Sequence, residues 1–291
     1  MNKQLAAALA VSLLSITSAQ ANVVLEGNYL KVGVHTSGGI IDNAFNTGIT
    51  YDETGTGTWT SLDFVKPGSP FEFYSVGFNG YYNSAGYSNG NNFGATTTNT
   101  SAGSTLSTHT TGSWSSIGLS QDMWFGENSG TINFSVTLTN IGTFAISDVV
   151  YARGLDPDQD SYVYGSSYTT NNIVNGNLVT GSGPYSDWTI GIFSDSLIPH
   201  TPSIRSDWSY NPYGLLAPVN DGNGDYTINM AWNVGTLAAG QSSTITFQYR
   251  IAETQGEVVN PPSSVPDTGS TLGLITLSLA GLAAFSRRRR A

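Results

Sequence analysis

Apolar and polar residues alternate with a period of two in several separate segments of the chain. Residues 131–138 put four apolar side chains on one face, and residues 187–193, 226–232 and 243–251 show the same pattern. Successive side chains of an extended strand point to opposite faces, so this alternation is typical of half-buried strands. Between the two ends of the chain no segment shows convincing helical periodicity. The sequence predicts an all-β protein, an antiparallel β-sandwich.

The predicted sandwich spans residues 22–252, as either one large sandwich or two smaller domains. Asn175-Gly176 lies between two apolar pairs and predicts a hairpin turn. The Thr-rich and Ser-rich residues 94–120 fit either a long loop or a polar strand. Residues 253–264 contain two prolines and predict a linker after the sandwich.

The charge balance restricts the partners of this predicted domain. Cys is absent from the sequence, which excludes disulfides, thiolate metal sites and a Cys nucleophile. Within residues 22–267, five basic residues stand against 20 acidic ones, a net charge of −15. Such a surface repels nucleic acid and anionic membranes. We therefore expect no nucleic-acid partner, and we expect neutral or cationic ones instead.

Residues 1–21 predict a secretory signal peptide. Lys3 precedes an apolar run over residues 5–16, and Ala19 and Ala21 supply the small residues of a cleavage site. As a helix the run would span about 18 Å, too short for a hydrocarbon core of about 30 Å. We expect export through the Sec pathway and cleavage after Ala21.

The C-terminal end, residues 265–291, has three parts in a fixed order: a turn-forming motif, an apolar segment over residues 272–285 and a basic cluster. The motif consists of Val265, Pro266, Asp267, Thr268 and Gly269, and the cluster of Arg287, Arg288, Arg289 and Arg290. As a helix the apolar segment would span only about 21 Å, marginal for a permanent anchor. The arginines are costly to move across a bilayer and predict a stop-transfer signal. We expect this end to reside in the inner membrane transiently.

This order of parts resembles the PEP-CTERM sorting signals of Gram-negative bacteria. The residues VPDTGSTL are especially similar to the variant whose motif reads VPDSG or VPDTG. The resemblance implies an exosortase-type membrane transpeptidase as partner, which would recognise residues 266–269 and remove the helix and the Arg cluster. It further implies a place at the cell surface or in an exopolysaccharide or biofilm matrix.

Two alternatives to this interpretation stay open. The motif also resembles the L-P-x-T-G signal of Gram-positive sortases, with a cut between Thr268 and Gly269 and anchoring as a cell-wall adhesin. The second alternative is a plain single-pass tail anchor.

Two acidic loops are candidate Ca²⁺ sites. The first carries Asp156, Asp158 and Asp160 directly after a predicted strand, and the second carries Asp221, Asn223 and Asp225. Oxygen ligands at positions 1, 3 and 5 of a loop can converge on one Ca²⁺ ion. The alternatives are a solvated acidic turn for the first loop and an ordinary hairpin turn for the second. We expect no required cofactor, and Ca²⁺ is the one ion these patterns suggest.

Residues 71–93 carry eight Phe or Tyr residues among Gly and Asn, which predicts loops with exposed rings. Tyr81, Tyr82 and Tyr87 are the candidates for stacking on sugars. The alternative is that these rings fill the core.

Together these observations favour an exported bacterial surface protein, non-enzymatic, that acts in adhesion or associates with exopolysaccharide. The alternative is a secreted polysaccharide-active enzyme, which would need two convergent carboxylates in a groove.

Overall fold

A computed structural model of the protein describes residues 22–42, 44, 47–59 and 62–261. The predicted signal peptide, with Ala19 and Ala21, lies outside the described residues. So does the predicted sorting signal over residues 265–291, with its motif, apolar helix and Arg cluster. Within the described ranges, no helix is long and apolar enough to cross a membrane.

The larger of two main antiparallel sheets has eight strands. From one edge to the other these are β12 (Thr170–Asn175), β13 (Leu178–Ser182), β14 (Thr189–Phe193), β17 (Ser242–Ala252), β10 (Thr131–Asn140), β9 (Ile117–Gly126), β8 (Thr105–Trp114) and β7 (Thr96–Asn99). Buried and partly exposed residues alternate along all of β10. At β10, one face of this sheet therefore packs on the core and the other is partly exposed.

The smaller main sheet has six strands and packs against the first as a sandwich. Its strands are β15 (His200–Arg205), β16 (Thr227–Leu237), β11 (Ile146–Leu155), β4 (Glu72–Phe78), β5 (Tyr81–Gly86) and β6 (Gly90–Asn91). Every residue of β4 is buried. The outer face of this sheet is covered as well, by the segment that contains the short helix α2 (Pro212–Leu215), with Leu215 packed on Phe73 and Ala152.

A third sheet and two further short helices complete the described fold. The third sheet consists of β1 (Val23–Glu26), β2 (Leu30–Val34) and β3 (Ile49–Tyr51). Helix α1 (Ser161–Tyr164) follows β11, and helix α3 (Gln255–Val259) follows β17. Buried side chains from all three sheets form one main hydrophobic core.

The predicted all-β sandwich is confirmed, and the alternating segments become β10, β14, β16 and β17. The predicted turn at Asn175-Gly176 joins β12 to β13. Residues 94–120 form β7, β8 and the start of β9, so the polar-strand interpretation is correct. Thr97 and Thr110 are buried there, with their hydroxyls 2.9 Å apart.

Most of the aromatic segment over residues 71–93 forms strands, and the alternative that the rings fill the core holds for five of them, whereas Tyr81 and Tyr82 are exposed. The buried rings are those of Phe71, Phe73, Tyr74, Phe78 and Phe93. The reason is that β4 is covered on both faces, which gives no polar alternation for the sequence to show.

Part of the predicted linker is structured. Thr254 and Glu257 form a capping box at the start of α3, and Val258 is buried against the larger sheet. The packed chain therefore continues to residue 259, past the predicted end of the sandwich at residue 252.

A buried ion pair lies between the two main sheets. Arg153 Nε of β11 donates to Glu72 Oε1 of β4 at 2.6 Å, and both side chains are fully buried. From the larger sheet, Gln121 Oε1 accepts from Arg153 Nη1 at 2.9 Å, and the Tyr249 hydroxyl donates to Glu72 Oε1 at 2.9 Å. Although burial lowers the pKa of Arg153, the adjacent Glu72 carboxylate raises it well above its ordinary value. Burial raises the pKa of Glu72, and the adjacent Arg153 charge opposes that rise. Both Glu72 oxygens and Arg153 Nε and Nη1 have hydrogen-bond partners within the core.

We predict that Arg153→Met lowers the free energy of unfolding by about 3–5 kcal/mol, because it leaves the Glu72 carboxylate buried without its partner. Urea denaturation followed by tryptophan fluorescence measures this loss. The control is Lys31→Met, which breaks the partly exposed pair with Glu26 and should cost less than about 1 kcal/mol. Equal losses in the two variants would contradict the prediction.

Candidate functional site

Three carboxylates from two loops meet at one end of the six-stranded sheet. Asp156 directly follows β11, Asp158 lies two residues later, and Asp225 shortly precedes β16. Because β11 and β16 are neighbouring antiparallel strands, with Leu155 opposite Ile228, the end of one lies beside the start of the other. One oxygen of each carboxylate lies within 4.8 Å of the other two.

Two of the three carboxylates are buried, and three of their four oxygens accept no hydrogen bond. Asp156 is 1% exposed and Asp158 is 2% exposed, whereas Asp225 is exposed. Neither oxygen of Asp156 accepts a hydrogen bond, nor does Oδ1 of Asp158. In the described part of the chain, no Lys or Arg forms an ion pair with any of the three. Buried carboxylates left in this state are unusual, because desolvation of a charge must be compensated.

The pKa values of these groups reflect this environment. Burial, reinforced by the charges of Asp158 and Asp225, raises the pKa of Asp156 to about 9. Burial raises the pKa of Asp158 to about 7, although a hydrogen bond from Ser167 lowers it. Burial also raises the pKa of Asp225. In the absence of a cation the three groups therefore cannot all ionise at neutral pH, whereas a divalent cation would compensate their charge.

The other members of the two predicted Ca²⁺ loops have different contacts. Asp160 precedes α1, and its Oδ2 accepts from the Tyr185 backbone N–H at 2.8 Å. Asp221 Oδ2 accepts from the Ser206 N–H at 2.7 Å, and Asn223 Oδ1 accepts from the Asn171 N–H at 2.9 Å. The structure thus groups part of the first loop with the last residue of the second, and neither predicted set of three converges by itself.

An open aromatic cleft of about 540 Å³ lies next to the carboxylates. Its lining residues are Gly68, Ser69, Pro70, Phe71, Ser88, Trp208 and Tyr210. The Phe71 ring lies 5.1 Å from the Trp208 ring and 4.8 Å from the Tyr210 ring, centroid to centroid. Clefts with apolar ring faces and a few polar groups are typical of ligand sites.

Residues that line the cleft also contact the carboxylate loops. The Asp156 backbone N–H donates to the Phe71 carbonyl at 2.9 Å, and Trp208 Nε1 donates to the Asp225 carbonyl at 3.2 Å. Gly68, at φ +64°, lies so close to Asp158 that a Cβ there would come within 2.5 Å of Oδ2. These contacts connect the carboxylate loops to three residues that line the cleft.

Trp208 has a left-handed backbone conformation, with φ +51°. This conformation is unfavourable for a bulky residue and costs about 1–3 kcal/mol where surrounding contacts impose it. Here the indole hydrogen bond and the ring contact with Phe71 hold it. Such strained residues concentrate at functional sites, which supports a functional role of the cleft.

The three predicted sugar-stacking tyrosines lie elsewhere. Tyr81 and Tyr82 are exposed on β5, and Tyr87 is partly buried against the core with Lys66 Nζ 5.8 Å from its ring centroid. None of them lines the cleft. Trp208 and Tyr210 do, and sequence reasoning missed them. The signal that could have found them is the spacing Trp-Ser-Tyr directly before Asn-Pro, two aromatic residues in a turn-rich segment.

Further exposed tyrosines surround the loop of Asp158 and Asp160. They are Tyr162, Tyr164, Tyr168 and Tyr185. The Tyr164 and Tyr185 rings stack with centroids 5.6 Å apart. Burial together with the charges of Asp63 and Asp158 raises the pKa of Tyr162. Aromatic surface is thus concentrated around the same acidic loops.

Residues 264–289 match the family model of the VPDSG-CTERM motif. The chain carries a PEP-CTERM-type sorting signal. The predicted resemblance is confirmed, and this signal marks exported, cell-surface-targeted proteins that are substrates of exosortases. No curated protein sequence matches the chain.

Two solved structures show the relationship of the fold. A bacterial glucoamylase in complex with acarbose matches with a TM-score of 0.56 at 8% identity, over 83% of this chain and 34% of that protein. A TPR-domain containing protein from Parabacteroides distasonis matches with a TM-score of 0.50 at 12% identity, over 84% of this chain and 48% of that protein. The chain thus spans half or less of these proteins' length. At such identities the likeness shows a shared fold.

We predict that Asp156→Asn is more stable than the wild type in metal-chelating buffer, by a margin that grows from pH 5 to pH 8. The native wild type holds protons on Asp156 and Asp158 that the unfolded chain, with ordinary Asp pKa values near 4, has lost. Its free energy of unfolding therefore falls as pH rises through this range.

Urea denaturation of both proteins at each pH measures the margin. The control is Asp195→Asn, which changes an exposed carboxylate outside the site and should follow the wild type. A margin that is constant with pH would contradict the prediction.

Proposed function

We propose that this exported protein is a non-enzymatic surface or matrix protein that binds polysaccharide in the aromatic cleft. The observation that carries the proposal is the cleft itself, where Trp208, Tyr210 and Phe71 surround an open volume of about 540 Å³. Aromatic faces bind the apolar faces of sugar rings, and the polar edges of such a cleft bind hydroxyls. An open cleft suits a polymer that extends beyond the site.

The charge of the protein supports a neutral or cationic polysaccharide. Residues 22–267 carry a net charge of −15, and the exposed Asp225 accepts a hydrogen bond from the cleft residue Trp208 through its backbone carbonyl. Anionic polymers would be repelled by this surface, more strongly at low ionic strength.

The burial of the carboxylates supports binding without hydrolysis. A glycosidase needs one carboxylic acid that reaches the glycosidic oxygen and a second carboxylate that reaches the sugar ring or a water. Asp156 and Asp158 are 1% and 2% exposed, so of the three groups only Asp225 is open to a bound polymer.

The second candidate function is a polysaccharide-active enzyme. It is favoured by one observation, the carboxylates of raised pKa beside an aromatic cleft, because such groups are frequent in active sites. The likeness to a bacterial glucoamylase adds only the fold, because the match covers 34% of that protein.

We predict that Trp208→Ala weakens binding of the exported protein to the host's own exopolysaccharide about tenfold, which corresponds to about 1.4 kcal/mol. Affinity electrophoresis through gels that contain the polymer measures the change. Tyr81→Ala is the matched control, since it removes an aromatic ring that is exposed outside the cleft. Equal retardation of wild type and Trp208→Ala would overturn the proposed cleft, and release of reducing sugar from the polymer would favour the enzyme.

We predict that replacing Pro266 and Asp267 together by Ala stops C-terminal processing, because both belong to the sorting motif. Mass spectrometry of the protein from cell envelope and medium measures this, and the variant should stay in the envelope at its unprocessed C-terminal mass. Pro261→Ala, upstream of the matched residues, is the control and should be processed normally. Normal processing of the double variant would exclude this motif as the recognised signal.

A further inference from the structure

We propose that Asp156, Asp158 and Asp225 together bind one Ca²⁺ ion at the edge of the aromatic cleft. The site is assembled from two loops that are about 70 residues apart in sequence and are brought together by the pairing of β11 with β16. It differs from both of the loops that the sequence suggested.

The geometry fits a single ion. Ca²⁺ binds oxygen at 2.3–2.6 Å, so two of its ligands can lie at most about 5 Å apart. One oxygen from each of the three carboxylates meets this limit, all within 4.8 Å of one another.

The unpartnered oxygens point independently to a ligand. Both oxygens of Asp156 and Oδ1 of Asp158 accept no hydrogen bond, although the two residues are only 1% and 2% exposed. A carboxylate that had only a structural role would accept N–H groups, as Asp63 does from Gly48 and Ile49 at 2.8 and 3.1 Å. A bound cation supplies the compensation that these oxygens lack.

The donor set selects the class of ion. The group contains carboxylate oxygens and no His. Hard oxygen ligands suit Ca²⁺ and Mg²⁺, whereas Zn²⁺ sites use His and Cys. Mg²⁺ demands near-ideal octahedral geometry and retains several waters, which a site with two buried carboxylates does not suit. Ca²⁺ tolerates irregular geometry, and extracellular modules bind it with Kd values of about 0.1–1 mM.

The ion would fix the cleft as well as the sheet edge. The Asp225 carbonyl accepts a hydrogen bond from Trp208 Nε1, and the Asp156 N–H donates to the Phe71 carbonyl. The Asp158 carboxylate is in close contact with Gly68. Neutralising the three charges therefore steadies three residues that line the cleft. The metal proposal itself does not depend on the polysaccharide proposal, because it can be tested without any sugar.

The test is thermal unfolding and isothermal titration calorimetry of the full-length protein with CaCl₂ at pH 7.5. With 10 mM Ca²⁺, about 100 times a Kd of 0.1 mM, the Tm should rise by about 5–10 °C above its value in chelator. Asp156→Asn should lose this response while remaining folded, with a Tm in chelator at least equal to that of the wild type. Asp195→Asn should keep the response.

Each other outcome overturns the proposal. A wild-type Tm that ignores 10 mM Ca²⁺ excludes the site, and an Asp156→Asn variant that still responds places the ion elsewhere. A lower Tm of Asp156→Asn in chelator shows that Asp156 stabilises the fold by itself. An equal response to 10 mM Mg²⁺ rejects the choice of Ca²⁺.

Discussion

The ion pair between Glu72 and Arg153 connects the layers of this fold. Its partners come from both main sheets, through Gln121 of β9 and Tyr249 of β17, and the Ile40 N–H donates to Glu72 Oε2 at 2.7 Å. A buried pair of this kind compensates its desolvation only if nearly all of its hydrogen-bonding groups are satisfied in one arrangement. The hydrogen bonds of the pair therefore hold the two main sheets in one relative position. The residues at the edges of the sheets are positioned by the same constraint.

The candidate site depends on the same strand. β11 carries Arg153 in the core, and Asp156 follows at its end, so the anchored strand also positions the first carboxylate. The neighbouring β16 positions Asp225 through the register of the two strands. The segment that covers the outer face of the six-stranded sheet contributes Trp208 and Tyr210, and it packs there because that face is apolar around Phe73 and Ala152. The cleft is thus formed where a covering layer meets a sheet edge.

The sorting signal and the fold are consistent with one another. The sorting signal marks the protein for the cell surface. A large sandwich with an aromatic cleft can present a binding site that needs no conformational change. In this arrangement backbone groups of the acidic loops hydrogen-bond to Phe71 and Trp208 of the cleft.

The sequence by itself determined the all-β class, the hairpin at Asn175-Gly176 and the sorting signal, because these depend on local patterns: alternation of period two, a two-residue turn and a short linear motif. It also identified Asp156, Asp158 and Asp225 as acidic loop residues. Only the tertiary structure decided which of them meet, because Asp225 joins Asp156 through strand pairing over a long sequence separation, while Asp160 accepts instead from the Tyr185 N–H between β13 and β14. It likewise decided that Phe73 is buried and Trp208 lines a cleft. Burial depends on which face another layer covers, and local sequence does not encode that.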